Sequence, residues 1–282
     1  MARSFDDTYK HYLGRLATVV SDPPFTMACW FYGDDASVWG NLMSVTSLVA
    51  KDAHALDLTS AADGQHLAAS SQEDDAWHRA ETTGTWTANV WSHACGVWAT
   101  SSRRHAYLDG ADKGTNTDAC NPDELGRMNV GGTVYGYGDP ARSFSGRIAE
   151  AAIWSAPLGD TEVGALAAGY CPLLVRPGDL AAYWPLGGVF GRCDLDRWKN
   201  GHDLIPYILP GWADHPPVIY PSRPLVVGRE SAGSASPAAD REYRAVAGQV
   251  WHTGAAAAQH DVPGPRAGQV FTPGQVVGNA HA

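Results

Sequence analysis

The chain has 282 residues, of which 18% are charged, with 31 Gly, 18 Pro, 11 Trp and a formal net charge of −10. Such a length suits one large domain with an appendage or two small domains, and the Gly, Pro and Trp content favours short strands and turns over long helices. An acidic balance with no basic tract excludes nucleic acid as the main partner, and the absence of a long apolar run leaves no segment expected to span a membrane. The cysteines Cys29, Cys95, Cys120, Cys171 and Cys193 are odd in number and show no C-x-x-C spacing. Free thiols and a reducing compartment are expected. The opening MARSFDDTYKHYLG has no apolar stretch of the secretory type.

In chain order, residues 1–24 are irregular, with one expected strand at 12–20 and a turn at Asp22-Pro23-Pro24. Residues 25–32 alternate, placing Phe25, Met27, Cys29 and Phe31 on one face of a strand. Residues 42–50 and 54–59 form an expected hairpin, and weaker strands at 67–69 and 77–80 flank the acidic Glu73-Asp74-Asp75 loop. A second hairpin joins 91–99 to 104–109, and Asp109-Gly110 is a tight-turn dipeptide in which glycine supplies positive φ. A short strand at 127–132 leads into a glycine- and tyrosine-rich loop, 131–140.

Residues 144–166, FSGRIAEAAIWSAPLGDTEVGAL, organise the rest. Simple alternation puts Ile148 and Trp154 on one face of a strand and Ala149, Ala151 and Ile153 on the other. Both faces are mostly apolar, as in a strand within a two-sheet sandwich. Pro157 ends the strand, and Asp160 or Thr161 is the expected N-cap of a short helix that packs back through Leu166. Residues 180–186 are a returning strand, and 187–221 are a closing segment with a last strand at His202-Asp203-Leu204. Beyond Pro221 the composition turns to Ser, Ala, Arg and Pro, and AGQVWHTG at 247–254 is echoed by AGQVFTPG at 267–274. So few large apolar residues cannot build a core. The expected organisation is a domain at 1–221 and an extended arm at 222–282, whose Val250, Trp251, Val270 and Phe271 anchor on another subunit.

Several of these segments resemble one family. Phe144, Gly146, Ile148, Glu150, Ile153 and Trp154, followed by Leu158, Glu162, Val163 and Leu166, match the last-strand signature of laminin-G-like, concanavalin-A-like jelly-roll domains. Asp160 stands near the turn where serine or threonine is usual. Trp30 falls on the family's F-T-[IM]-x-x-W strand, and Trp91, His93, Ala94, Trp98, Tyr107, Leu108, Asp109 and Gly110 fall on its W-x-H hairpin. The resemblance covers residues 12–221 and implies an all-β fold, a two-sheet antiparallel jelly-roll sandwich. It says almost nothing about function. A longer run, Ala182 to Gly188, Asp203-Leu204 and WADHPPVIYP at 212–221, resembles laminin-G-like proteins of tailed-phage particles.

Catalytic chemistry finds little support. Glycosidases of this fold need two carboxylates facing the sugar from one strand, and no E-x-D-x-x-E spacing occurs. Glu73, Asp74 and Asp75 are consecutive and would point to alternate faces. Glu150 is read as structural. No H-x-x-x-H pair or G-x-S-x-G elbow is present, so no enzyme and no cofactor is expected. Calcium is the metal the loops come nearest to serving, through Asp109, Asp112 and Asp118 or Asp74 and Asp75, but no contiguous calcium loop exists. Trp30, Trp98, Trp154 and Trp184 are assigned to the core. Trp77, Trp86, Tyr135 and Tyr137 are assigned to loops, where they would stack on glycan rings.

The expectation is a non-enzymatic phage virion structural protein made in the host cytoplasm. It would be a capsid decoration or cement protein, a homo-oligomer anchored through its arm to the major capsid protein or other virion subunits. The alternative is a glycan-binding module of a tail adhesion device or cell-surface protein that contacts host-surface glycan.

Overall fold

The computed structural model describes residues 2–135, 141–187, 195–197 and 201–221. Tyr137, Cys193 and the expected arm anchors Val250, Trp251, Val270 and Phe271 lie outside these residues. The strands in chain order are β1 (Ala2–Phe5), β2 (Tyr12–Arg15), β3 (Phe25–Gly33), β4 (Gly40–Ser47), β5 (Ala53–Leu58), β6 (His66–Glu73) and β7 (Ala76–Thr85). They continue with β8 (Trp91–Thr100), β9 (Arg103–Leu108), β10 (Asp112–Asn116), β11 (Leu125–Val130), β12 (Gly132–Thr133), β13 (Arg142–Ser143) and β14 (Gly146–Trp154). Helix α1 (Asp160–Ala167) precedes β15 (Leu180–Trp184), β16 (Ile205–Ile208) and β17 (Gly211–Ala213).

An eight-stranded sheet runs β10-β9-β8-β3-β14-β1-β17, with β15 also on β14, and a seven-stranded sheet runs β16-β2-β11-β4-β5-β6-β7. The pairs within both sheets are antiparallel, which makes the jelly-roll sandwich. Its core lies between the sheets. Phe25, Met27, Cys29 and Phe31 of β3 face Val45, Leu56 and Leu67 across it, as the alternation of β3 requires. Trp98 stacks on Phe25 at 4.7 Å and donates to Ser71 Oγ at 3.1 Å, so its polar edge is satisfied inside the core. Cys29, Cys95, Cys120 and Cys171 are free and buried.

Strand β14 departs from simple alternation. Its register with β3 shifts between Ala149 and Ala152, and Glu150 there has φ +54°. A bulge adds one residue and inverts the side-chain parity beyond it. Ile148, Ala151 and Ile153 therefore face the inner core, while Ala152 and Trp154 face outward. The expected shared face of Ile148 and Trp154 is overturned by this bulge.

The outward residues of the eight-stranded sheet form a second apolar layer. Val97, Tyr107, Ala152, Trp154 and Tyr183 pack beneath Leu158, Val163 and Leu166 of the α1 region. Gly159, one residue before the expected cap, is the N-cap, and its N–H donates to Glu162 at 2.8 Å. The end of the closing segment completes the cover. Ile219 exchanges backbone hydrogen bonds with Gly169 and Cys171. The carboxylate of Glu150, exposed through the bulge to this side, accepts from Tyr183 at 2.5 Å, Tyr220 at 2.8 Å and His215 Nε2 at 3.0 Å. Glu150 is structural as expected: it clamps the closing segment to β14. His215 Nδ1 lies 2.8 Å from the Pro216 carbonyl.

The last strands are β16 and β17, not His202-Asp203-Leu204, which lies just ahead of β16. They are consecutive in the chain and each forms the outermost strand of a different sheet. Ile205, Tyr207, Ile208, Leu209 and Trp212 are exposed there.

Candidate functional site

The outer face of the seven-stranded sheet is polar. Register places Asn41 beside Asp57, Ser44 beside Ala55 and Asn129, Ser70 beside Arg79, and Gln72 beside Trp77, all on the side away from the core. Asn41, Ser44, Thr46, Asp57, Ser70 and Asn129 are fully buried all the same. The start of the segment after β11 lies over one end of them: Ser44 Oγ donates to the Gly132 carbonyl at 3.1 Å and Thr46 Oγ1 to the Val134 carbonyl at 2.5 Å.

Above the other end sit two tryptophans and two arginines. The Arg142 guanidinium lies 4.7 Å from the Trp39 ring and 4.6 Å from Trp77, and that of Arg79 lies 5.0 Å and 5.1 Å from the same two rings. Both indoles are half-buried. Trp39 Nε1 donates to Asp63 at 2.6 Å, which fixes that ring. With its amide oxygen turned to Trp77, Gln72 accepts from Nε1 at 3.2 Å, and its amide nitrogen donates to the Lys51 carbonyl at 2.8 Å and to the Tyr135 hydroxyl. Burial and the neighbouring Arg142 hold the Arg79 guanidinium below its usual pKa, against Asp57, Glu81 and Asp63. Burial, with Asp57 second, pushes the Tyr135 hydroxyl up.

Beneath this cluster the hydrogen-bonding capacity is not spent. Asn41 Nδ2 donates to Asp57 Oδ1 at 2.9 Å, but Asp57 Oδ2 has only Arg142 Nη1 at 3.8 Å, too long for a hydrogen bond. Among the described residues, Asp57 Oδ2, Ser70 Oγ, Arg79 Nε and Arg142 Nη1 are buried without a hydrogen-bond partner. Buried polar atoms in folded proteins are nearly always paired with protein groups or ordered water.

Of the aromatics assigned to glycan contact, Trp77 and Tyr135 meet here around Gln72. Trp86 does not. It follows β7 but turns inward, is 2% exposed, and donates to the Thr59 carbonyl at 3.3 Å within the inner core. Trp30, assigned to the core, is half-buried on the outer face of the eight-stranded sheet. Sequence reasoning missed Trp39, Arg79, Arg142 and Asp57. Two signals were present: a single acid in the apolar strand AHALDL, and an arginine two residues from Trp77 and so on the same face of β7.

The acidic loops make no calcium site. Asp112 belongs to β10 rather than a loop, and Asp109 accepts from the His93 N–H at 2.7 Å. Among the described residues no three His, Cys, Asp or Glu converge as metal ligands. No helix among them is long and apolar enough to cross a membrane.

Residues 9–164, more than half of the chain, match the model of the concanavalin A-like lectin/glucanases superfamily. The chain belongs to that superfamily. Among solved structures it is similar to a putative carbohydrate binding protein from Bacteroides ovatus, at 18% identity and a TM-score of 0.54, covering 73% of this chain and 57% of that one. It is also similar to a heptameric SAP-like pentraxin from Limulus polyphemus, at 17% identity and a TM-score of 0.48, covering 59% and 81%. A third is the CBM40 of a Ruminococcus gnavus IT-sialidase, at 14% identity and a TM-score of 0.45, covering 53% and 84%. The likeness to the Bacteroides ovatus protein shows a shared fold alone. No curated protein sequence matches the chain.

Proposed function

We propose that this chain is a non-enzymatic carbohydrate-binding domain that takes a neutral glycan on the outer face of its seven-stranded sheet. The observation that carries the reading is the pair of indoles, Trp39 and Trp77, interleaved with Arg79 and Arg142 over buried polar atoms that lack hydrogen-bond partners among the described residues. Sugar rings present C–H faces that stack on indoles and hydroxyls that need both donors and acceptors. Arg79 and Arg142 supply donors, and Asp63 beside Trp39 supplies an exposed acceptor. The two guanidinium charges are offset by Asp57, Asp63 and Glu81, so the face favours an uncharged ligand. The lectins of the superfamily and the described role of the Bacteroides ovatus protein support the same reading.

A glycan array on the full chain tests it, followed by titration of the best neutral ligand. Trp77→Ala is expected to weaken that ligand about tenfold or more. Full affinity in Trp77→Ala, or no neutral glycan bound, would overturn the reading.

A second reading, a phage virion subunit anchored through residues 222–282 to capsid or tail proteins, is favoured by the exposed apolar corner of Ile205, Tyr207, Ile208, Leu209 and Trp212. Contiguous exposed apolar surface is a mark of subunit contact. Part of the phage-like run works inside the domain instead, because His215 and Tyr220 hold Glu150. Sedimentation of the full chain against a chain ended at Pro221 separates the cases: an oligomer that becomes a monomer supports the anchored subunit, and a monomeric full chain removes it.

A further inference from the structure

The outer face of the eight-stranded sheet is sealed at one end by α1 and the closing segment, and its other end is open. There the strands carry an aromatic row in register: Trp91 on β8, Tyr32 on β3 and Arg147 on β14. Tyr32 and Trp91 meet edge to face at 5.8 Å, and the Arg147 guanidinium lies 4.3 Å over Tyr32. One step inward, Trp30 meets His93 edge to face at 5.5 Å. All four of Trp30, Tyr32, Trp91 and Arg147 are half-buried.

Where this row reaches the sealed end, a cleft opens. It is lined by Ala28, Trp30, His93, Glu150, Tyr170 and Val218. Its cavity volume is about 10 Å³, room for one water-sized group. Two groups in it decide what kind. His93 is 2% exposed, and its Nδ1 has no partner among the described residues. Burial pushes that imidazole down to about 3, so it is neutral. Glu150 is also 2% exposed, and its carboxyl oxygens already meet His215, Tyr183 and Tyr220 at hydrogen-bond distance. The cleft therefore calls for no cation and gives an anion nothing to pair with. A small neutral group that both donates and accepts would complete His93, and a hydroxyl is such a group.

We infer a second saccharide-contact site on the eight-stranded sheet, in which one sugar hydroxyl enters the cleft beside His93 while the ring lies against Trp30, Tyr32 and Trp91. The site shares no residue with the Trp39–Trp77 face, and either can bind without the other. A domain with both would engage glycan from two opposite sides, gaining avidity on a dense glycan surface that neither site has alone.

The test uses the full chain labelled with ¹⁵N in its histidines, titrated separately with maltose, cellobiose and lactose. The ring nitrogens of His93 are expected to shift with at least one of the three, equally in wild type and in Trp77→Ala. Trp30→Ala is expected to weaken that response about tenfold. If Trp30→Ala fails to fold, the wild-type spectra decide alone. His93 nitrogens that stay in place with all three sugars overturn the second site, and so does a shift that disappears in Trp77→Ala. Loss of array binding in Trp77→Ala with an unmoved His93 keeps the first site and removes the second; the opposite pattern removes the first and keeps the second.

Discussion

On the eight-stranded sheet the outward side chains of β14 and β15, Ala152, Trp154 and Tyr183, meet the α1 region and the closing segment. On the seven-stranded sheet the outward side chains of β4, β5 and β6 include the buried Asn41, Ser44, Asp57 and Ser70, and two indoles and two guanidinium groups lie over one end of this layer. Both layers are buried, yet they do different work. The apolar layer gains stability in proportion to the area it removes from water. The polar layer gains little net stability from its hydrogen bonds, and several of its atoms have no hydrogen-bond partner among the described residues. A fold that stabilises itself on one side is free to keep the other reactive.

That contrast can be broken most directly by equivalent truncations. Trp154, fully buried with its Nε1 donating to the Val175 carbonyl at 2.9 Å, is expected to cost about 3–5 kcal/mol when changed to alanine. Trp77→Ala is expected to cost less than about 1 kcal/mol. Urea unfolding of the two variants measures both; similar losses would mean that the seven-stranded face is a structural layer like its counterpart.

A smaller effect sharpens the comparison by pH. His54, in the inner core against Phe25 and Trp98, and His93, on the eight-stranded side, are both pushed down to about 3 by burial, and Arg104 adds to the effect at His54. The unfolded chain takes up these protons near 6.5 while the folded one does not, so their contribution is complete above that pH and is lost as the pH falls toward 3. Each histidine should contribute a slope of about 1.4 kcal/mol per pH unit in that window. Replacing His93 with glutamine should flatten the acid limb of stability against pH, and an unchanged slope would show that His93 is already protonated in the fold.

Much of the sandwich was legible because its inner strands alternate cleanly. β3 and the β8–β9 hairpin carry apolar residues at every second position, and the signature around β14 located the strand, its proline stop and the helix that follows. Parity within β14 was not legible, because a bulge at Glu150 is a backbone event with no glycine or proline to announce it. β10, DKGTN, was missed because an exposed edge strand has no buried face to impose alternation. The candidate face was half legible. Trp77 and Tyr135 stood out as aromatics near turns. Their partners Trp39, Asp57, Arg79 and Arg142 come from four separate segments, and only the register of β5, β6 and β7 and the return of the chain at β13 bring them together. Trp86 was misplaced for the converse reason: a residue just past a strand end can turn into the core as readily as into solvent.

The clamp on Glu150 has a consequence for how the domain is displayed. Tyr220 hydrogen-bonds that carboxylate, so the polypeptide arrives at Pro221 on the helix-covered side of the sandwich. A tag or fusion joined directly after Pro221 would meet the domain on that side, opposite the Trp39–Trp77 face.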